Sequence, residues 1–347
     1  MAGVAAGIAA FVPILSGLPG GSNGNHPSIA LASAPSGLYA VVARSEERED
    51  VILAAPASTP ADLRVIARVE HLPGFSSYGA VSPDGTKLAL VVADAGTPGR
   101  PGASLIVVGL NDGSVERRAI TVDPLQFPVW TPDSGAIVVT RTTGPGGLAD
   151  VHIVNVPVHV GGETELVVAR KVLGAYPIGF GADGRLLYVA IGADGSTLWR
   201  PAAKVADLSP FITRDWRLSP DGSAVAYIET DVSHGLQYRQ KVVSLAGTAS
   251  PAQYADDGGQ HLGVAWQPRG AGPTFGDDPG SGRNAAQSAT GGFTIPLDYA
   301  PGGEVLAVQA WSGDSYADAG TMSLAVLSAN GQAAIPGASR FFGWTQR

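Results

Sequence analysis

The segment Ala80-Val81-Ser82-Pro83-Asp84-Gly85-Thr86-Lys87-Leu88-Ala89-Leu90-Val91-Val92 decides the reading of the whole chain. An apolar run breaks over Ser82 to Gly85 and then resumes, which is the pattern of a β-hairpin. Pro83 presets φ for the first central position of a type I turn, Asp84 offers an acceptor to nearby backbone amides, and Gly85 takes the positive φ that closes a three-residue hairpin with a bulge. The pattern returns at Val129-Trp130-Thr131-Pro132-Asp133-Ser134, Phe180-Gly181-Ala182-Asp183-Gly184 and Leu218-Ser219-Pro220-Asp221-Gly222. Weaker copies stand at Trp266-Gln267-Pro268-Arg269-Gly270 and Tyr299-Ala300-Pro301-Gly302-Gly303. Anchored on the proline, the copies fall at 83, 132, 182 (alanine there), 220, 268 and 301, so the steps are 49, 50, 38, 48 and 33. Repeats of about this length, built from short strands, predict propeller blades.

An aromatic residue followed by x-Ser-Pro-Asp-Gly and a strand resembles the WD40-like repeat of TolB-type β-propeller proteins, and the resemblance covers nearly everything after Leu38. It implies an all-β propeller. It implies little about activity, because one propeller architecture hosts binding platforms, hydrolase accessory domains and enzymes.

Composition agrees with short strands joined by turns: of 347 residues 47 are Gly and 26 Pro, and no stretch reads as a long helix. A formal net charge of −8 argues against a phosphate-binding surface, so nucleic acid is excluded as a partner. With no cysteine the chain has no disulfide, no thiolate metal site and no cysteine nucleophile. A monomer is expected.

Residues 1–37 read as an apolar signal- or anchor-like segment followed by a flexible linker, and 38–347 as the propeller. Ala2 to Leu18 is almost wholly apolar and uncharged, but lacks the basic opening of a signal peptide. At 17 residues it is barely long enough for the roughly 30 Å of a bilayer's hydrocarbon. An exported, periplasmic or extracellular location is expected, with a membrane tether through this segment. From Leu38 three strands follow where a blade needs four. Phe341-Phe342-Gly343-Trp344-Thr345 matches Phe127-Pro128-Val129-Trp130-Thr131 and supplies the missing one, so the N- and C-terminal strands are expected to pair. Innermost strands are expected near 75–81, 127–130, 176–180, 214–218 and 261–266. The expected count is six blades of four antiparallel strands, with 268–300 an inserted Gly/Asp-rich loop; seven blades, one degenerate, is the alternative.

The chemistry-bearing residues are scattered. His26, His71, His152, His159, His234 and His261 make no zinc spacing, and no Gly-x-Ser-x-Gly elbow stands in the strand-forming part of the chain from Leu38 onward. Asp256-Asp257 and Asp277-Asp278 are carboxylate pairs without the alternating order of a calcium loop. Neither a catalytic residue nor a metal ligand is assigned, and no cofactor is expected. Because innermost strands line a propeller's channel, Tyr176, Arg214, Asp215, Trp216, Arg217, His261 and Asp298 are the binding candidates at channel or rim. The reading is an exported or membrane-tethered platform for a protein or envelope ligand. Its alternative is a lactonase- or sialidase-like hydrolase with a site in the channel.

Overall fold

In the computed structural model, which describes residues 31–346 apart from 98–99, 145–146, 160, 234, 247–249, 255–258, 270–271, 280–291 and 316–317, the turn copies close as their residues dictate. The amide of Gly85 donates to Ser82 O, Ser134 to Thr131 O, Gly184 to Gly181 O, Gly222 to Ser219 O and Gly303 to Ala300 O, each at 2.8–2.9 Å. The donor residue has φ between 59° and 81° in all five, so the position favours glycine. Ser134 adopts it with a side chain present. The turn carboxylate caps from the other side: Asp221 accepts from Ser219 Oγ at 2.6 Å and Ser223 N at 3.0 Å, and Asp133 accepts from Thr131 Oγ1 at 2.6 Å and Gly135 N at 3.0 Å.

Among the described residues the chain forms 26 strands and no helix. They are β1 (Leu38–Ser45), β2 (Glu49–Pro56) and β3 (Arg64–Glu70); β4 (Tyr78–Val81), β5 (Lys87–Thr97), β6 (Arg100–Gly109) and β7 (Val115–Val122); β8 (Val129–Trp130), β9 (Ala136–Thr143), β10 (Ala149–Pro157) and β11 (Thr164–Val172); β12 (Gly174–Phe180), β13 (Leu186–Gly192), β14 (Gly195–Arg200) and β15 (Ala203–Ser209); β16 (Thr213–Leu218), β17 (Ala224–Asp231), β18 (Gln237–Ser244) and β19 (Pro251–Gln253); β20 (His261–Trp266) and β21 (Pro273–Asp277); β22 (Phe293–Tyr299), β23 (Leu306–Trp311), β24 (Met322–Ser328) and β25 (Gly331–Ile335); and β26 (Arg340–Gln346). Each group forms a sheet in sequence order, and β26 joins the first sheet to give β26-β1-β2-β3. The fold is therefore a β-propeller of six four-stranded antiparallel blades, with a two-stranded sheet between the fifth and the last.

The chain divides into two compact units, one of residues 35–180 with 335–347 and the other of residues 181–334 with the segment before Pro35. In the first, β26 pairs with β1 from Leu38↔Gln346 to Ala43↔Arg340, shifting register between Val41 and Val42. The expected pairing of the termini is thus present. Strand β5 shows why these strands read as unbroken apolar runs. Leu88, Leu90 and Val92 pack with Val41, Ile52 and Phe342 of the first blade, while Ala89 and Val91 pack with Trp130, Ile137 and Val154 of the third. Both faces are buried, so alternation is lost.

In the second unit, Ala226, Ile228 and Tyr238 of the fifth blade, Leu262, Val264 and Phe275 of the two-stranded sheet, and Phe293, Ile295 and Trp311 of the last blade share one core. Full burial of a Leu, Ile, Val or Phe side chain in such a core contributes about 1.5–3 kcal/mol. Two sequence-based expectations are corrected here. The stretch 268–300 is not wholly a loop, because it holds β21 and β22, and β22 is the inner strand of the last blade. Pro296 hides β22: it stands beside a register shift between Pro296 and Asp298, where the ladder needs no amide. Gly276 hides β21, yet glycine is required there, since a Cβ would stand 2.6 Å from Leu262 O and 3.0 Å from Thr294 O. The expected linker is also fastened at its end. Ala32 N donates to Glu304 O at 3.0 Å, Ala329 N donates to Ala32 O at 3.1 Å, and Leu31 packs beside the last blade's core. The apolar segment Ala2 to Leu18 lies outside the described residues.

Candidate functional site

Six of the seven candidate residues belong to the second unit, on β16, β20 and β22, and β20 packs against both of the other strands. The ladder between β16 and β17 shifts between Arg214 and Arg217, so Asp215 and Trp216 form a bulge. Asp215 has a φ of 55°, a left-handed conformation that costs a residue with Cβ about 1–2 kcal/mol. Its carboxylate is anchored across to β20, accepting from Gly263 N at 3.2 Å.

Arg214 does not project from the sheet end. Its guanidinium lies 4.2 Å from the centre of the Tyr238 ring, with Nε 3.8 Å from Asp215 Oδ2. Trp216 donates its indole N–H to Thr213 Oγ1 at 2.8 Å. Arg217 is exposed, and its carbonyl accepts from the indole of Trp266 at 2.8 Å.

Asp298 follows the bulge of β22 as Arg217 follows that of β16. Protein crowded around the carboxyl pushes its pKa up to about 6, while the Arg217 charge and the Tyr299 amide pull it down. The residue keeps exposed surface, where solvent screens its charge.

His261 is buried, 1% exposed, and its ring meets Phe275 edge-on at 6.4 Å. An ionised carboxylate only accepts, so Nδ1–H of His261 donates to Asp277 Oδ1 at 2.8 Å. The pair joins β20 to β21 at the register His261↔Asp277. Tyr176 belongs to the first unit, on β12, where burial raises the hydroxyl pKa and the Asp123 charge raises it further. The structure therefore gathers Arg214, Asp215, Trp216, Arg217, His261 and Asp298 on neighbouring strands. Among the described residues no three His, Asp or Glu side chains converge to hold a metal. Asp256 and Asp257 lie outside the described residues.

Sequence reasoning passed over a second group, in the first unit. Arg340 at the start of β26 lies 4.6 Å from the centre of the Tyr78 ring and donates Nη2–H to Ser76 Oγ at 2.9 Å. Tyr78 in turn meets Phe127 edge-on at 5.0 Å, and Phe127 is 55% exposed. The signal available was the aromatic residue at or just before an inner strand, which reads equally well as core.

No protein-family model matches the chain, and no curated protein matches it. Solved structures do. TolB from Acinetobacter baumannii is 11% identical over 90% of this chain and 67% of that one, with a TM-score of 0.52. Apo prolyl oligopeptidase B from Galerina marginata is 11% identical over 97% of this chain and 54% of that one, with a TM-score of 0.56. The chain spans about half the length of that peptidase. At such identities the likeness is one of fold, and the chain is a six-blade β-propeller with the fold shared by TolB-type proteins.

Proposed function

We propose that this propeller is a binding platform, exported or tethered to a membrane, which docks a protein or an envelope ligand without turning it over. The observation that carries the reading is the placement of Arg217 and Asp298. Two exposed residues of opposite charge follow matching bulges on inner strands. The backbone behind them is held by the Asp215–Gly263 and Trp266–Arg217 hydrogen bonds. A polar pair on a backbone fixed before binding loses little entropy when a partner arrives. The apolar Ala2 to Leu18 stretch supports the exported or tethered location.

A photo-crosslinking residue placed at Arg217 of the full chain, in its native cell, tests the platform. A discrete adduct with one other macromolecule is expected, and an uncrosslinked chain at all exposures sinks the reading. Fusion of a compartment-sensitive reporter tests the location, and a purely cytosolic signal counts against it.

The hydrolase alternative has one observation in its favour, the His261–Asp277 pair, which is how a carboxylate orients a general base. At 1% exposure His261 has no path to a substrate without opening of the sheet. Hydrolysis of a lactone, sialoside or phosphoester by the purified chain, abolished by His261→Gln, would replace the platform by an enzyme.

A further inference from the structure

We infer that Phe127, Tyr78 and Arg340 form a docking site for an extended peptide that carries a carboxylate next to a large apolar side chain. The inference rests on the platform reading and assigns it a surface separate from Arg217 and Asp298.

The loop Asp123-Pro124-Leu125-Gln126-Phe127-Pro128 is locked before any partner arrives. Leu125 sits at a φ of 60°, and two prolines fix their own φ. Buried Gln126 braces the loop and holds it to β9: Nε2 donates within the loop to Asp123 O at 2.7 Å and across to Thr140 O at 2.9 Å, and Oε1 accepts from Thr140 N at 2.6 Å. Asp123 adds acceptors for Thr142 N at 2.8 Å and Thr142 Oγ1 at 2.7 Å. Five side-chain hydrogen bonds and a strained residue thus present one exposed phenyl ring. Strain maintained by such over-determination is a mark of binding loops, and a rigid aromatic anchor is the commonest energetic centre of an interface.

The neighbouring cation supplies the second half of the chemistry. Arg340 lies against Tyr78 and bonds Ser76, and it pairs with no carboxylate among the described residues. A guanidinium held on a ring face keeps an edge free for the two oxygens of a carboxylate. In a chain of net charge −8, an arginine left without an acid on its own surface is complementary to an acidic partner. Since buried Tyr78 touches both Arg340 and Phe127, one short segment can cover the exposed Phe127 ring with an apolar side chain and reach the cation with an adjacent acid.

The test pans a random-peptide phage library on the full chain and measures synthetic versions of the enriched peptides by fluorescence polarisation. Enriched peptides should share Asp or Glu beside Leu, Ile, Phe or Trp. Phe127→Ala and Arg340→Gln should each weaken them at least about tenfold, and Arg340→Gln should flatten their salt dependence. If Phe127→Ala lowers the melting temperature, Arg340→Lys, which keeps the charge and loses the fork, decides in its place. Enrichment without acidic residues, or affinity unchanged in these variants, overturns the site. Peptides weakened by Arg217→Ala but not by Phe127→Ala overturn it while leaving the platform reading intact. Failure to enrich any peptide overturns it as well, and only the absence of a Arg217 crosslink in addition removes the platform.

Discussion

The indole N–H of Trp130 donates to the carbonyl of Ala80 at 2.8 Å, tying the inner strand of the third blade to that of the second. Trp266 repeats the bond in the other unit, donating to Arg217 O at 2.8 Å. In both cases the tryptophan stands two residues before the turn proline, and the acceptor stands three before the proline of an earlier turn. The turn motif therefore carries a staple between neighbouring inner strands. Trp130→Phe removes the donor and part of the buried indole, so it should cost the roughly 1 kcal/mol of the hydrogen bond plus a packing loss, seen as a lower melting temperature. Unchanged melting would mean that Ala80 O finds water instead.

Gly85 and Gly222 occupy the same turn position, with φ of 70° and 68°, but not the same surroundings. A Cβ on Gly85 would meet nothing nearer than Thr345 Oγ1 at 3.4 Å, while one on Gly222 would meet Ala182 N at 2.4 Å and Gly181 C at 2.8 Å. Gly85→Ala should cost about 1–2 kcal/mol from the left-handed conformation alone. Gly222→Ala should cost more, because rigid backbone must also move. Chemical denaturation of the two variants checks the order, and equal losses would refute the close approach.

Carboxylates of opposite character set the acid response. Asp298 has a folded pKa raised from 3.8 to about 6 by burial, so its charge opposes folding above pH 6 and that penalty fades as pH falls toward 3.8. Asp298→Asn should raise stability at pH 8 by less than about 1 kcal/mol given solvent screening, seen as a slightly higher melting temperature, and leave melting unchanged near pH 3.5. Asp221 is the reverse: the Ser219 hydroxyl, then Ser223, lower its pKa, so its stabilisation is present above 3.8 and is lost as pH falls below that value. Asp221→Ala should therefore lower melting at neutral pH, with a gap that narrows in acid.

Deleting residues 340–347 should do more damage than any substitution. It strips β1 of its partner from Leu38 to Ala43 and removes buried Phe342 and Trp344. Loss of each large aromatic costs about 3–5 kcal/mol, so the pair takes most of the stability of an ordinary domain, and the bared edge favours aggregation. Light scattering and thermal melting read both effects, and a soluble truncated chain with unchanged melting would refute them.

The repeat was legible because its information is local. Ser82-Pro83-Asp84-Gly85 and Leu218-Ser219-Pro220-Asp221-Gly222 encode φ, the capping acceptor and the reversal within a few residues, and the apolar runs beside them encode two buried faces. The pairing of β1 with β26 was legible for a related reason, since Phe341 to Thr345 is a copy of a segment whose turn partner is missing there. What the local pattern misread was Phe293–Tyr299 and Pro273–Asp277, where proline and glycine signal loops and the sheet uses them at a register shift and at a close approach.

The candidate residues followed the same division. That Arg217 belongs to an inner strand came from the repeat, whereas Asp298 fell in the stretch read as a loop, and that both follow a bulge came only from the register between strands. Nor does the chain mark Phe127 as exposed and Trp130 as buried three residues later. Turn geometry depends on neighbours in sequence, and the sequence alone determined it. Burial, the upward shift at Asp298 and the stacking of Arg340 on Tyr78 depend on segments separated by many residues, which only the packed blades bring together.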